Sequence, residues 1–286
     1  MFDDLVWRVV RKRLVASRKM SRTHRKRKGV KRVVCAFQNL PKPFKSANDF
    51  VDRLLEEIRD DLVFADLLVL PRLAGNLLYG VWPVLNKRKI DEIYERLKTP
   101  YLNLLKYISK ELSISIVAAG VEDFKKPPEV YVLKDGCLIY KRDLSGDEQP
   151  TAVFLDDWTI AILRREETFS FEKMRPLVEK GVYTFILLDL EEEDKNWWIE
   201  KTGLWARSQS LEVFGVKASP FGQFLDRTFK GKSYVSAPVP LTPSLNGFLT
   251  KTDERNSKVS VDLDLELLSR KRHENYKRFV SLFKET

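Results

Sequence analysis

The amino-acid sequence predicts an α+β protein in which helices cover β-sheets and a basic arm precedes the globular body. From Val33 onward, apolar strand-like runs alternate with amphipathic helical stretches. Turn signals such as Asp135-Gly136 separate strands in the way that is typical of hairpins. Positive charge is concentrated in residues 1–32, so we expect a basic N-terminal helix and extended arm (1–32) followed by one domain (33–286).

The composition excludes several classes of protein. Hydrophobic residues make up 43% and charged residues 32% of the 286 positions, which is ordinary for a globular protein. No apolar run reaches the roughly 20 residues of a membrane helix, and the N-terminus lacks the apolar segment of a secretory signal. Cys35 and Cys137 lie in apolar runs, so we expect two buried thiols and a cytoplasmic location. The two histidines and two cysteines favour no metal site, and we expect no cofactor.

Hydrophobic periodicity assigns an element to most of the body. Helical spacing predicts helices over 47–60, 89–112 with Pro100 as a candidate break, 171–180 with Gly181 as its C-cap, 197–212 and 267–284. Apolar or alternating runs predict strands in KRVVCAFQNL, ADLLVLP, SISIVAAG, both halves of YVLKDGCLIY, TAVFLDDWTIAIL, VYTFILLDL, LEVFGVKAS, KSYVSAP, FLTKT and KVSVDLDLE.

The high density of Lys and Arg in the arm predicts that it binds a polyanion. Its first 14 residues have the spacing of a short basic amphipathic helix, and SRTHRKRKGVKR has few apolar residues to bury. Such arms bind RNA by releasing counterions from phosphates. A solvated tail, an anionic membrane surface and a nuclear address are the alternatives. The candidate nucleic-acid-binding residues are Arg8, Arg11, Lys12, Arg13, Arg18, Lys19, Arg22, Arg25, Lys26, Arg27, Lys28, Lys31 and Arg32.

Six segments resemble, in the correct order, the nitrilase (carbon–nitrogen hydrolase) superfamily. They are VVCAFQNL, FADLLVLPRLAGNLL, SISIVAAG with VYVLKDGCLIYKRDL, WWIEKTGLWARSQSLEVFGVKAS, GKSYVSAP and VSVDLDLELLSRKR. The resemblance implies a four-layer αββα sandwich that typically forms a homodimer through its helices.

The resemblance also implies a catalytic cysteine, glutamate and lysine, and two of these are missing. The glutamate position after Pro71 holds Arg72, which cannot act as a base. The cysteine position, counted back from Gly181, holds Arg165, or Arg164 if the intervening stretch has an extra residue. Lys141 in KRDL matches the lysine. The resemblance therefore implies a pseudoenzyme, with no catalytic residues assigned.

Three hypotheses follow. The first is a non-catalytic nitrilase-like scaffold that contacts RNA or a ribonucleoprotein through its arm. The second is an active amidase with an unrecognised nucleophile. The third is a small-anion binding protein whose former catalytic pocket contains Arg72, Lys141, Arg164 and Arg165, since arginine matches carboxylate and phosphate groups. Glu166 or Glu167 would instead supply an internal partner if these cations only fill the pocket.

Overall fold

Two stacked β-sheets lie at the centre of the protein. The computed structural model describes residues 10–12, 14, 29–40, 42–61, 65–81, 90–123, 125, 127–192, 201–225, 227–252 and 258–284. The strands of this part are β1 (Val30–Cys35), β2 (Ala65–Leu70), β3 (Ser115–Ala119), β4 (Glu129–Lys134), β5 (Cys137–Asp143), β6 (Val153–Leu155), β7 (Trp158–Leu163), β8 (Thr184–Leu188), β9 (Phe214–Ala218), β10 (Phe221–Phe224), β11 (Arg227–Lys230), β12 (Tyr234–Ser236), β13 (Phe248–Lys251) and β14 (Val259–Asp264). Its longer helices are α1 (Ala47–Ile58), α2 (Ile90–Leu112), α3 (Phe171–Glu179), α4 (Leu204–Ser210) and α5 (Leu265–Lys284).

The strand order places two sets of parallel strands side by side. Within the described residues, the first sheet has the order β14-β1-β2-β3-β4-β5 and the second has the order β13-β12-β9-β8-β7-β6. Strands β1, β2 and β3 are parallel in the first sheet, and β7, β8 and β9 are parallel in the second. The carboxyl ends of each set therefore meet at one edge of its sheet.

Three hydrophobic cores define the layers. The core between the sheets contains Val33 and Leu67 from the first sheet and Ile160 and Val216 from the second. A second core packs α1 and α2 against the outer face of the first sheet, and a third packs α3 and α4 against the outer face of the second. The predicted four-layer αββα sandwich is confirmed.

Most helices agree with the predicted ones, and two differ. Of the predicted helix 197–212, residues 197–200 lie outside the described residues, a turn at Gly203 interrupts the rest, and α4 covers Leu204–Ser210. The other difference is at a proline. Ser46 caps α1 by accepting a hydrogen bond from the Asp49 backbone N–H, and Gly181 follows α3 with a φ of +83°. Helix α2 continues through Pro100 rather than breaking there. Its apolar residues on both sides of the proline are buried against the first sheet, and this packing outweighs the lost hydrogen bond. In the described part of the chain, no helix is long and apolar enough to cross a membrane.

The local sequence pattern predicted one of two hairpins. Asp135 and Gly136 have φ values of 51° and 79°, so the predicted turn between β4 and β5 is confirmed as one with two left-handed residues. The hairpin of β10 and β11 was not predicted. It buries Phe224 and Phe229 in the outer core of the first sheet, although it pairs with neither large sheet as a strand.

The described residues at both ends of the N-terminal segment contact the body of the protein. Val10 to Lys12 and Leu14 are helical, and Val10 and Leu14 are fully buried in the outer core of the first sheet. Lys31 and Arg32 belong to β1 rather than to an arm, and they pair with Asp157 and Asp262. Of the other candidate nucleic-acid-binding residues, Arg11 and Lys12 are exposed and the rest lie outside the described residues.

Candidate functional site

The candidate site lies at the carboxyl ends of the parallel strands. In open α/β sheets this edge is where ligands bind. The two sheets meet there, because the Phe221 N–H donates to the Gln38 carbonyl (2.7 Å) and Gln38 Oε1 accepts from the Ser233 N–H (3.2 Å). We call this region the carboxyl edge; it comprises the residues that directly follow β1, β2, β3, β7, β8 and β9.

Arg72, after β2, is neutralised by a buried carboxylate. Its Nε and Nη2 donate to Glu122 Oε1 (2.9 Å) and Oε2 (2.6 Å). The Glu122 side chain is fully buried, and its backbone is held by the Asn76 side chain through two hydrogen bonds. This bidentate arrangement is the strong form of a charge-assisted pair. The position of the family's base therefore holds a guanidinium with its own anion.

A β-bulge decides which residue of β5 faces the space between the sheets. The pairing of β4 with β5 skips Ile139, so Leu138 packs in the outer core while Tyr140 packs between the sheets. Lys141 consequently points outward and donates to Glu129 Oε1 at 2.6 Å. Arg142, the next residue, points inward and is fully buried.

Arg142 and Arg164 share one carboxylate, Glu167. Arg142 Nη1 donates to Glu167 Oε2 (3.0 Å), and Arg164 Nε donates to Glu167 Oε1 (3.1 Å). Burial alone would raise the pKa of Glu167. Hydrogen bonds from the Arg142 side chain and the Arg164 backbone, with the charges of both arginines, outweigh burial and lower that pKa. We name Arg142, Arg164 and Glu167 the two-arginine cluster; it confirms that Glu167 supplies an internal partner.

Arg165 belongs to a second cluster. It pairs with Asp189 and Glu191, and Lys217 Nζ donates to Glu191 Oε2 at 3.0 Å. Burial opposes the charge on Arg165, but the two carboxylates outweigh it and raise the pKa of Arg165. Lys217 is almost completely buried. We name these four residues the balanced tetrad, because its two positive charges equal its two negative charges.

Neither cysteine lies at a strand-to-helix turn of the carboxyl edge. Cys35 is the buried last residue of β1, and burial raises its pKa to about 12, so the thiol stays protonated at neutral pH. Cys137 is exposed, which corrects the prediction of two buried thiols. It is the first residue of β5 directly after the turn, where the outer strand of a sheet leaves its side chain in solvent.

Two small cavities near the carboxyl edge are lined by described residues. One of about 70 Å³ is lined by Glu122, Glu129 and Tyr131 among others, and one of about 20 Å³ lies beside the balanced tetrad. Spaces of this size hold from one to a few water molecules. The partners of Arg72 and Lys141 line the same cavity, whereas Arg164 and Arg165 lie in separate clusters.

The fold is that of nitrilase-superfamily amidases. No protein-family model and no curated protein matches the sequence. An amidase of the nitrilase superfamily from Nesterenkonia AN1 aligns with 90% of this chain and 100% of its own chain, at a TM-score of 0.64 and 16% identity. Another structure of an amidase from Nesterenkonia sp. aligns with 90% and 99%, at a TM-score of 0.65 and 16% identity.

A further structure of the AN1 amidase describes covalent addition of the acetamide moiety of fluoroacetamide at the active-site cysteine; it covers 90% and 99% of the two chains, at a TM-score of 0.64 and 16% identity. At this identity the likeness shows the fold. The resemblance detected in the sequence segments is confirmed at that level.

Sequence reasoning identified Arg72, Lys141, Arg164 and Arg165 but missed Arg142, Lys217 and most of the partner carboxylates. Glu122, Asp189 and Glu191 lie at or near strand ends, 24 to 50 residues from the arginine with which they pair, and Lys217 is 26 residues from Glu191. Arg142 was overlooked because the bulge that turns it inward leaves no clear mark in the sequence. The sequence nevertheless contained a signal for these carboxylates, because Asp189 directly follows a buried strand and Glu122 lies a few residues after another.

Proposed function

We propose that this protein is a non-hydrolytic member of the nitrilase-like fold that acts as a binding scaffold and contacts RNA through its basic N-terminal segment. The non-hydrolytic assignment rests on one observation: Arg72 pairs with Glu122, and Arg165 pairs with Asp189 and Glu191. These arginines stand where the resemblance implies a base and a nucleophile.

The chemistry of amide hydrolysis supports this proposal. A guanidinium remains protonated at working pH and neither attacks a carbonyl carbon nor abstracts a proton. The two carboxylates of the tetrad are already hydrogen-bonded to cations, which opposes their use as a general base. Removing one member of a catalytic constellation typically lowers the rate by several orders of magnitude, and here two members are replaced.

Ammonia release from aliphatic amides and nitriles tests the non-hydrolytic part. We expect no release above the buffer control, and the same result for the double variant Cys35→Ala/Cys137→Ala. The alternative function, an amidase with an unrecognised nucleophile, predicts ammonia release above the buffer control, and the cysteine variants show whether a thiol is that nucleophile. Such release would overturn the proposal.

Charge and burial together support RNA as the partner of the N-terminal segment. Residues 1–32 contain 13 Lys and Arg but only two acidic residues, whereas the rest of the chain has 38 basic and 39 acidic residues. Val10 and Leu14 are buried while Arg11 and Lys12 are exposed, so the described helical residues present charge outward. Binding by counterion release needs this density of cations and no sequence-specific contact.

A gel shift with structured RNA across a salt series tests RNA binding by the N-terminal segment. The variants carry substitutions, because a truncation would also damage the body. Removal of the first 32 residues would also remove Val10 and Leu14, which belong to the outer core of the first sheet, and the first three residues of β1, which pair with β14. The test variant replaces seven cations with Gln: Arg18, Lys19, Arg22, Arg25, Lys26, Arg27 and Lys28. The control replaces seven scattered exposed cations with Gln: Lys42, Lys45, Arg96, Lys110, Lys173, Lys180 and Lys232.

We expect the test variant to bind at least about tenfold more weakly and with a shallower salt slope, and the control to resemble the wild type. Equal weakening in both variants would show that only net charge matters and would contradict the proposal. Binding to anionic lipid vesicles without binding to RNA would assign the segment to a membrane surface instead.

A further inference from the structure

The two-arginine cluster carries an unbalanced charge at a largely buried position, where Arg142 and Glu167 are buried and Arg164 is partly exposed. Arg142 and Arg164 bring two positive charges and Glu167 brings one negative charge. Among the described residues, Glu167 is the one carboxylate hydrogen-bonded to either guanidinium. Arg142 and Glu167 are both about 1% exposed, and buried Arg142 Nε has no hydrogen-bond partner in the described structure. Buried charges normally have an equal number of opposite charges beside them.

Neutral backbone carbonyls accept the other hydrogen bonds that the two guanidinium groups donate; one of them is the Ile162 carbonyl, which accepts from Arg142 Nη1 at 2.7 Å. Arg142 Nη2 donates to the Glu148 carbonyl at 2.6 Å, and Arg164 Nη1 donates to the Gly146 carbonyl. Both carbonyls belong to the loop between β5 and β6. Ser145, Asp147 and Glu148 of this loop are exposed, so it lies between the cluster and solvent. Only these two carbonyl contacts join the middle of the described loop to the arginines.

We propose that Arg142 and Arg164 form a capped binding site for a small organic carboxylate, and that the loop 145–149 is its cap. In this state the Gly146 and Glu148 carbonyls occupy the positions of the two carboxylate oxygens. When the loop moves away, Arg142 Nη2 and Arg164 Nη1 present two donors to one planar anion. The site goes beyond the proposed scaffold function and does not depend on RNA binding.

Charge explains why a carboxylate would replace the carbonyls. A monoanion makes the cluster neutral, whereas a carbonyl dipole leaves one positive charge without a counter-ion. Hydrogen bonds between a guanidinium and a carboxylate are roughly twice as strong as those to a neutral acceptor. The balanced tetrad lacks this property, because a bound anion would make it net negative. The bound state therefore requires the particular charge count of the two-arginine cluster.

The turn that shapes the cap offers a way to change its stability. Asp143 Oδ1 accepts hydrogen bonds from the Ser145 N–H (2.8 Å) and the Ser145 Oγ–H (2.6 Å). Removing this side chain should make the closed loop less populated. When a competent state is rare, the apparent dissociation constant falls as its population increases. Asp143→Ala is therefore expected to bind a carboxylate more tightly than the wild type.

The experiment is a titration of the full chain with succinate at about pH 5, where one of its two carboxyl groups is still largely protonated and the monoanion predominates. Binding is followed by thermal unfolding and by calorimetry, against sodium chloride at matched ionic strength. The test variant is Arg164→Gln, which leaves the neutral Arg142–Glu167 pair in place and so should fold. The control is Arg175→Gln, an exposed arginine of α3 whose loss changes the net charge equally. Inorganic phosphate is the comparison anion.

We expect saturable stabilisation of the wild type and of Arg175→Gln, at least about tenfold weaker binding in Arg164→Gln, and tighter binding in Asp143→Ala. The proposal is overturned if succinate acts no differently from chloride, or if Arg164→Gln responds like the wild type. An unchanged affinity in Asp143→Ala would overturn the role of the loop as a cap. An equal response to phosphate would overturn the restriction to carboxylates.

Discussion

Arg164 and Arg165 are neighbours in the sequence, yet they belong to clusters with opposite properties. Arg165 enters the balanced tetrad, in which two carboxylates match two cations. Arg164 belongs to the two-arginine cluster, in which both guanidiniums pair with one carboxylate and donate their other hydrogen bonds to backbone carbonyls. The tetrad is a neutral unit that fills the edge of the second sheet. The two-arginine cluster depends on a single anion and retains capacity for another.

The largest difference is expected when the shared carboxylate is removed. Glu167→Ala leaves two arginines without a counter-ion, one of them fully buried. Breaking a buried ion pair by removing one partner costs about 3–5 kcal/mol, and we expect a loss of unfolding free energy in that range. Urea denaturation measures it. A loss no larger than that of an exposed substitution would contradict the assigned burial and pairing.

The partly buried carboxylate of Glu57 sharpens the comparison because, among the described residues, no guanidinium pairs with it. Burial raises the pKa of Glu57 from 4.5 to about 7, despite a hydrogen bond from the Phe37 N–H and the charge of Lys258. The folded protein holds this proton more tightly than the unfolded chain. The contribution to stability is therefore complete below pH 4.5 and is lost as the pH rises through 7.

Glu57→Gln should remove this pH dependence. We expect it to match the wild type near pH 4.5 and to exceed its stability at pH 8 by on the order of 3 kcal/mol. Glu167 should behave in the opposite way, because its pKa is lowered and its contribution is lost on acidification. Denaturation at several pH values measures both effects, with exposed Glu56→Gln as the control. An unchanged slope in Glu57→Gln would refute its burial.

A smaller effect is expected in the balanced tetrad. Lys217→Met fills the same space and leaves Arg165 to pair with Asp189 and Glu191. We expect a loss of about 3 kcal/mol, the lower end of the range for a broken buried ion pair, because Arg165 still pairs with both carboxylates. Thermal and urea unfolding measure it. A loss as large as that of Glu167→Ala would remove the distinction between the two clusters.

The smallest effect is expected at the lysine that matches the family's pattern. Lys141 is about half exposed and pairs with Glu129, which is also partly exposed. Surface pairs of this kind contribute at most about 1 kcal/mol, so Lys141→Ala should change stability little and leave succinate binding intact. If Lys141→Ala abolished succinate binding, the anion site would have to be reassigned to the outer face of β5.

Local patterns predicted the elements well and the site only in part. The Asp135-Gly136 turn and the cap of α3 at Gly181 depend on residues adjacent in the sequence, so the sequence alone was sufficient. The order of the segments was enough to predict the four layers. Pro100 shows the limit of local rules, because packing on both sides of it keeps α2 continuous.

The candidate site depends on contacts between distant residues. Arg72 and Glu122 are 50 residues apart, and Arg165 and Glu191 are 26 apart, so no local pattern joins them. One bulge at Ile139 decides which side chains of β5 face inward. Because of it, Arg142 rather than Lys141 points into the protein. Strand alternation counted from Leu138 would have placed Lys141 inside.

Intact mass spectrometry after incubation with a fluoroacetamide-type substrate analogue tests the non-hydrolytic assignment most directly. We predict that the carboxyl edge forms no covalent adduct and that the mass of Cys137→Ala stays unchanged throughout. A thioether adduct on Cys35 or Cys137, formed by displacement of fluoride in the folded chain but not in a chain denatured before the incubation, would contradict the assignment.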